Sequence, residues 1–539
     1  IGRPAVAPSL TPPTDFSVPM YMPHELTTTE AEAIVEAFGQ AARRMRAADF
    51  DGIELAVGMD YLIANFLHPH GNQREDKYGG GTMAERMTFL NEVLCAVRDG
   101  MGAGRILGIR LYDDVMDYSL QLADIVELSK LLDTAGAVDY FNIWHAIVPS
   151  PRQGRMHWPS HYYKPGAFTH LPAAVKAVVS RPVIGTGRMD SPAIAEATLA
   201  QGKADVIGMV KTLIADPHFP NKARTGRTAD IRTCIGCTQA CVGHVDLGLG
   251  VGCIYNPVTG REEEWSEVPP AQSARKVIII GGGPAGMEAA RVSAERGHKV
   301  TLFDRGSRLG GQIQLVAKAP GRDSFEEIIN WFERQLPKLG VDIRLRTEAD
   351  CDMILDHAPD DIILATGSLP WLPEVGGTDL PHVMTARDVM AGNAMPGERV
   401  LVIDTIGRAE AASTADWLAE RGHRVELMTG MERIAQNMPS PTRSHLLEKL
   451  MNAGVVLTTN TAPWEITLAG VECYNTITWA PATLDGYDSI VFGSGGTPDT
   501  GLLKSLTGQH PSIHVIGDCF QPRDIEIAVI DGHRVGRAL

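Results

Sequence analysis

Cys234, Cys237, Cys241 and Cys253 stand in the spacing C-x2-C-x3-C-x11-C, and Ile254-Tyr255-Asn256-Pro257 follows the last of them. Three thiolates so closely spaced can cover three corners of a small cubic cluster, and a fourth closes it from the far end of a loop. Iron–sulfur clusters are held by four Cys thiolates in sets of this kind. The competing chemistry is structural zinc, which usually draws its ligands from two separated C-x2-C knuckles. Only one such knuckle is present here, with a third Cys crowded beside it. The spacing predicts a [4Fe–4S] cluster, with zinc as the alternative, and therefore one-electron chemistry.

A second chemical signal begins at Lys276–Ile280, an apolar strand that runs into Gly281-Gly282-Gly283-Pro284-Ala285-Gly286 and a helix through Arg296. The next strand, Lys299–Asp304, ends in an acid 18 residues past the third glycine. This is G-x-G-x-x-G in its required context. Gly281, Gly283 and Gly286 let the backbone approach a pyrophosphate at a helix N-terminus, and Asp304 can bond a ribose hydroxyl. Further along come Gly310-Gly311-Gln312, then Ile362–Gly367 with Thr366, and finally Val515-Ile516-Gly517-Asp518. In this order they resemble the two-dinucleotide-binding-domain flavoproteins, in which the Gly-Asp carboxylate meets the ribityl–pyrophosphate region. The resemblance implies FAD, with ADP alone as the rival.

Such proteins usually carry a second fingerprint for NAD(P)H. The strand Arg399–Ile403 and the helix Ala409–Glu420 are present, but the turn between them reads Asp404-Thr405-Ile406-Gly407-Arg408-Ala409. Asp404 places a carboxylate where a pyrophosphate would lie, and Ile406 blocks close approach of the backbone. The phosphate site reads as lost, so electrons are not expected to enter or leave through a nicotinamide here.

The elements that must position these groups follow from the rest of the chain. At 539 residues, a scale of ~150 residues per domain predicts three or four domains. The chain is 44% hydrophobic and 21% charged, with 55 Gly, as expected of α/β architecture. A net charge of −16 argues against nucleic acid and gives nothing to hold an acidic membrane surface. No apolar run reaches the ~18 residues of a spanning helix. The other cysteines, Cys95, Cys351, Cys473 and Cys519, show no pairing pattern. With no signal peptide at the start, the expected location is cytoplasmic.

Residues 1–225 alternate strands with amphipathic stretches. The expected strands are Gly52–Ala56, Arg105–Leu111, Val138–Trp144, Pro182–Thr186 and Ala204–Met209. The expected helices are Thr29–Ala48, Met83–Arg98, Ser119–Thr134 and a shorter one with Asp190 as its N-cap. This alternation predicts parallel βα units. Five units fall short of the eight of a closed barrel, so either this is a smaller open sheet or the first three strands are missing or supplied from elsewhere. Residues 226–268 form the cysteine loop and a linker. The expected FAD domain takes 269–390 and 485–539, and the degenerate NAD(P)-type domain 391–484.

Taken in this order, the blocks resemble the iron–sulfur branch of the old yellow enzyme family: trimethylamine, dimethylamine and histamine dehydrogenases, N-methyl amino acid demethylases and 2,4-dienoyl-CoA reductase. Matching stretches are Asp51–Glu54, Phe66–Pro69, Asn72–Gly80, Gly187-Arg188 and Ile214–Pro217. The resemblance implies a TIM-type FMN barrel lacking about three N-terminal βα units, beside a [4Fe–4S] loop and a two-dinucleotide-binding-domain flavoprotein region. It places Arg110 against the flavin ring and Gly187 and Arg188 at the FMN phosphate, with Val210-Lys211 where Gly-Arg is usual. Tyr61 and His145, the latter in a Trp144-His145 pair, match the acid–base residues of dienoyl-CoA reductase, whereas Ala56 and Met59 cannot transfer protons. Pro159–Phe168 looks more like the demethylases.

The resemblance implies a dehydrogenase or demethylase of a small methylated amine or amino acid, passing electrons from FMN through the cluster to an electron-transferring flavoprotein. An NAD(P)H-dependent enoyl reductase and a non-catalytic electron-transfer or scaffolding subunit are the alternatives. Apolar surface left bare on Gly52–Ala56 is expected to meet a partner chain, or a further N-terminal segment, that completes the barrel within an oligomer. That unit is expected to pack against Ile1–Pro8 as well.

Overall fold

The computed structural model describes residues 5–10, 22–58, 61–113, 119–145 and 156–539. The chain divides into two compact units, residues 1–210 and 211–539.

In the first unit, five parallel strands lie in sequence order: β1 Gly52–Val57, β2 Ile106–Asp113, β3 Tyr140–His145, β4 Val183–Gly185 and β5 Val206–Ile207. Between them run α1 Thr28–Ala47 (ahead of β1), α2 Leu62–Leu67, α3 Thr88–Met101, α4 Leu122–Thr134, α5 His170–Lys176 and α6 Pro192–Ala200. Thr27 opens α1 with a capping box to Glu30, which satisfies two orphan amides of the first turn. On α3 the buried residues Phe89, Leu90, Val93, Leu94, Val97 and Met101 recur at helical spacing and turn one stripe to the sheet. Phe89 stacks on Phe66 of α2 with ring centres 4.0 Å apart.

Two details differ from the sequence reading. The cap of α6 is Ser191, whose hydroxyl accepts from Ile194 N, because the Asp190 carboxylate is already engaged by Arg188. Strand β1 also exposes no broad apolar face. Gly52-Ile53-Glu54-Leu55-Ala56-Val57 alternates, so Leu55 and Val57 are buried while Glu54 and Ala56 are exposed. Of the segment expected to meet a completing unit, Val6–Ala7 pairs with His24–Glu25.

In the second unit, α7 Lys211–Ala215 leads into the cysteine loop. A five-stranded parallel sheet follows. Its strands in chain order are β6 Lys276–Ile280, β7 Lys299–Phe303, β8 Asp342–Arg344, β9 Asp361–Leu364 and Ile513–Val515, arranged β8-β7-β6-β9 with Ile513–Val515 at the far edge. Helix α8 Pro284–Glu295 follows β6, and α9 Glu326–Lys338 precedes β8. A second parallel sheet joins β10 Val383–Thr385, β11 Arg399–Asp404, β12 Arg424–Thr429, β13 Val456–Thr458 and β14 Ser489–Gly493, with α10 Ala409–Ala419 after β11. This sheet reaches beyond residues 391–484 at both ends. Ser489–Gly493 is a fully buried apolar strand whose composition suits either sheet, and pairing to β11 decides the matter. No helix among the described residues is long and apolar enough to cross a membrane.

Candidate cofactor and active sites

Register decides what the first sheet offers. Ala56 pairs with Arg110, Arg110 with Asn142, and Tyr112 with Trp144. With side chains alternating along each strand, Glu54, Ala56, Arg110, Tyr112, Asn142 and Trp144 share one face. Glu54 confirms it by accepting from Asn142 Nδ2 and Tyr140 Oη, each at 3.0 Å. The Arg110 guanidinium lies 4.7 Å from the Trp144 ring centre and 5.3 Å from that of Tyr112. Its Nε is buried and has no hydrogen-bond partner among the described residues. A cation held by aromatic faces, with a donor still free, suits an electron-rich planar ring.

Gly187 and Arg188 form the turn after β4. The Arg188 side chain is turned inward, with Nε 3.1 Å from Asp190 Oδ2 and Nη1 3.2 Å from the carbonyls of Ser160 and His161. Its Nε and Nη1 are thereby engaged, which leaves the main chain of the turn as the candidate for a phosphate. Lys211 belongs to the second unit, where it opens α7 and lines the cysteine cavity.

The two acid–base candidates are held apart in character. Tyr61 precedes α2 and is 51% exposed. His145 is buried, and its Nδ1 lies 2.8 Å from Asp113 Oδ2. Asp113 pairs with His145 across β2 and β3, and both fall on the parity of Ile109, Leu111, Phe141 and Ile143 rather than that of Arg110. His145 Nε2 has no partner among the described residues. It borders a pocket lined by Trp144, His157, Phe168, Thr186 and Gly187, among others. Asp113 escaped sequence reasoning; its only sequence signal is its place at the end of a strand parallel to the one ending in His145. Met59, on the expected catalytic wall, lies outside the described residues.

In the second unit all four loop cysteines line one pocket, with Lys211, Ile214, Ala240 and Tyr255. Among the described residues no three His, Cys, Asp or Glu side chains converge on a single ion position. Burial pushes the Cys237 and Cys241 thiols up and the Cys253 thiol to about 12, and the neighbouring thiols push the same way. Buried thiols of this kind are deprotonated when they coordinate a metal.

The first dinucleotide turn is built for a close ligand. A Cβ on Gly281, at φ 107°, would stand 2.1 Å from the Ala365 carbonyl oxygen, and one on Gly286 would stand 1.9 Å from the Gly281 carbonyl oxygen. The space at Gly283 is open. Asp304 accepts from the main-chain N of Gly282 and of Gly306, each at 2.6 Å. The distant motifs meet here. Gln312 Nε2 donates to Asp518 Oδ2 at 2.9 Å, Ser368 Oγ donates to the same oxygen at 3.1 Å, and Gly311 lies against Gly283. Thr366 hydroxyl donates to the Asp499 carbonyl.

The second turn is filled from within. Asp404 is buried, and its Oδ1 accepts from the main-chain N of Ile406 at 3.2 Å and of Gly407 at 2.8 Å. Burial raises its carboxyl above the ordinary range, against the pull of those amides. Glu410, in the first turn of α10, accepts from Gly495 N at 3.0 Å and is also pushed up by burial.

Residues 5–230 match the NADH:flavin oxidoreductase / NADH oxidase family, and residues 275–532 match pyridine nucleotide-disulphide oxidoreductases. The chain is 34% identical to an NADH oxidase of Thermoanaerobacter brockii, over 99% of this chain and 81% of that one. It is also 34% identical to the N,N-dimethylglycine/sarcosine dehydrogenase of Chromohalobacter salexigens, over 98% and 82%. Its fold follows a 2-naphthoyl-CoA reductase with a TM-score of 0.89 and 31% identity, over 99% of this chain and 80% of that one. The chain belongs to the NADH:flavin oxidoreductase / NADH oxidase family, in its old yellow enzyme and dienoyl-CoA reductase-like group, and is a flavin-dependent oxidoreductase.

Proposed function

We propose that the protein is a dehydrogenase or demethylase of a small methylated amine or amino acid that sends its electrons through a [4Fe–4S] cluster to an electron-transferring flavoprotein. The observation that carries the reading is Asp404, whose carboxylate takes the main-chain donors a nicotinamide dinucleotide would need. With that turn filled, no nicotinamide delivers electrons at this domain, which favours the substrate itself as their source, as in an amine dehydrogenase. The dimethylglycine/sarcosine dehydrogenase relative supports the substrate class.

Bound FMN would take a hydride and a [4Fe–4S] cluster would carry electrons singly. The residues of this chain do the positioning. Arg110, held by Trp144 and Tyr112, presents a fixed positive charge that favours negative charge on a ring laid over this sheet face. The Gly187-Arg188 main chain is the candidate for the FMN phosphate. Cys234, Cys237, Cys241 and Cys253 surround a volume rather than a point, which favours a polynuclear cluster over a zinc ion. Gly281, Gly283, Gly286, Gly311, Gln312, Thr366 and Asp518 frame the FAD or ADP site, and Asp304 braces its loop. Among the described strands β1 pairs with β2 alone, so further ring contacts are assigned to strands beyond these five. A separate subunit or a longer N-terminal segment would supply them as a partial barrel is completed.

The test is anaerobic mixing of the flavin-loaded protein with N-methylated amino acids or with NADH. Bleaching by an N-methylated substrate, with formaldehyde released from it, is expected; rapid bleaching by NADH alone would sink the proposal. It would promote the second reading, an enoyl reductase, which the buried Asp113–His145 pair and the free Nε2 favour. Replacing Cys237 by Ala should remove iron and the broad visible absorption while nucleotide binding persists. Zinc in place of iron and sulfide would end the cluster assignment.

A further inference from the structure

The cysteine loop carries a cation that makes no ion pair with a carboxylate among the described residues. Arg232 stands two residues before Cys234. Its guanidinium lies 4.2 Å from the Trp331 ring centre and 5.7 Å from that of Tyr255, which stands two residues after Cys253. Nη1 donates to Asn256 Oδ1 at 2.9 Å. Nε is buried and has no hydrogen-bond partner among the described residues. The carboxylate of Asp216 is met by the Arg232 main-chain N at 2.9 Å, not by the guanidinium, and is already paired with Lys222 at 2.6 Å. One guanidinium therefore bridges the two ends of the thiol-bearing loop between two aromatic faces, and the buried carboxylate that acts on it, Glu288, is itself paired with Arg291 and His533.

An enclosed cation without an opposite charge is strongly unfavourable. The cysteine cavity supplies a further one: Tyr255, which lines it, lies against the guanidinium, and the Cys253 sulfur and Arg232 act electrostatically on each other. Four thiolates around an iron–sulfur core leave a net negative charge that grows by one when an electron is added. A fixed cation beside it stabilises the reduced form more than the oxidised form.

We propose that Arg232 is the built-in counter-cation of the cluster, a positioning residue that raises its reduction potential so that it draws electrons from the flavin. The inference rests on the [4Fe–4S] reading above. Trp331 and Tyr255 keep water from the guanidinium, so its charge acts through a low dielectric.

The experiment uses the full chain, with iron and acid-labile sulfide counted before an EPR-monitored reductive titration of wild type, Arg232→Met and Arg232→Lys. In Arg232→Met the reduced-to-oxidised ratio at fixed poise is expected to fall at least tenfold, about 59 mV for one electron. Arg232→Lys keeps the charge and should stay near wild type. An iron-replete Arg232→Met protein with an unchanged potential overturns the proposal. So does an Arg232→Lys shift as large as that of Arg232→Met, which would mark the residue as a structural fork. If Arg232→Met loads no iron, Asn256→Ala decides, because freeing Nη1 displaces the charge and must lower the potential; no shift overturns the proposal. Wild-type protein without iron and sulfide would overturn the cluster reading as well.

Discussion

The two dinucleotide turns of the second unit share a scaffold and oppose each other in chemistry. Each joins a buried parallel strand to a helix whose first amides point into the turn. Such amides form an anion site by themselves. After β6 the backbone is stripped of side chains, and the space at Gly283 stays open. After β11 the anion comes from the chain: Asp404 Oδ1 sits on the amides of Ile406 and Gly407. A strand–turn–helix unit can thus keep its fold while exchanging an external phosphate for an internal carboxylate. The donors need an acceptor, but any acceptor will do.

The comparison breaks most directly at Gly286. Gly286→Val would drive a side chain into the Gly281 carbonyl, already 1.9 Å from a Cβ. Overpacking of this kind costs about 3 kcal/mol. Nucleotide released from the purified variant should fall to background, and its Tm should drop by several degrees. Full nucleotide content would mean the turn is not the dinucleotide site. The reverse experiment rebuilds the second turn with Asp404→Gly, Ile406→Gly and Ala409→Gly together. With the first site saturated beforehand, isothermal titration should then detect ADP binding with a Kd on the order of 100 μM, about −5.5 kcal/mol, where wild type treated alike shows none. Wild-type binding at this domain would show that Asp404 is no plug.

How far these sites can be read from sequence depends on whether the requirement is local. The first turn is legible because glycine spacing, strand and helix lie within thirty residues. Loss of the second phosphate site is equally legible, since Asp404 and Ile406 occupy glycine positions. Which amides Asp404 would take is not, because that depends on a turn geometry set by the strands around it. The Asp113–His145 pair was missed for a related reason: a register between parallel strands brings together residues 32 positions apart. Arg232 belongs to no motif, and its isolation becomes visible only when Trp331, from α9, closes over it. The alternation in β1 was present in the sequence but was overridden by the expectation of a bare apolar edge. Asp190 and Ser191 are both good caps, and only the competing bond to Arg188 separates them.

The smallest effect tests what state the internal anion is in. Burial raises the Asp404 carboxyl, and three main-chain amides oppose the rise without cancelling it. A carboxyl whose folded value is raised contributes stability that is whole below its unfolded value, about 3.9, and is lost as pH climbs through the folded value. Wild type should therefore lose ground to Asp404→Asn as pH rises from about 4 toward 7. Asparagine keeps an oxygen for the Ile406 and Gly407 amides and carries no charge to desolvate. Thermal unfolding of both proteins at matched pH values should show no Tm difference at the acid end and an advantage of a degree or two for Asp404→Asn near neutrality. Glu410 is raised in part by the Asp404 charge, so both proteins are compared in a Glu410→Gln background. The opposite trend, with wild type gaining as pH rises, would mean that the amides win over burial and that the folded carboxyl lies below its unfolded value. The turn would then hold its internal carboxylate as favourably as it would a bound phosphate.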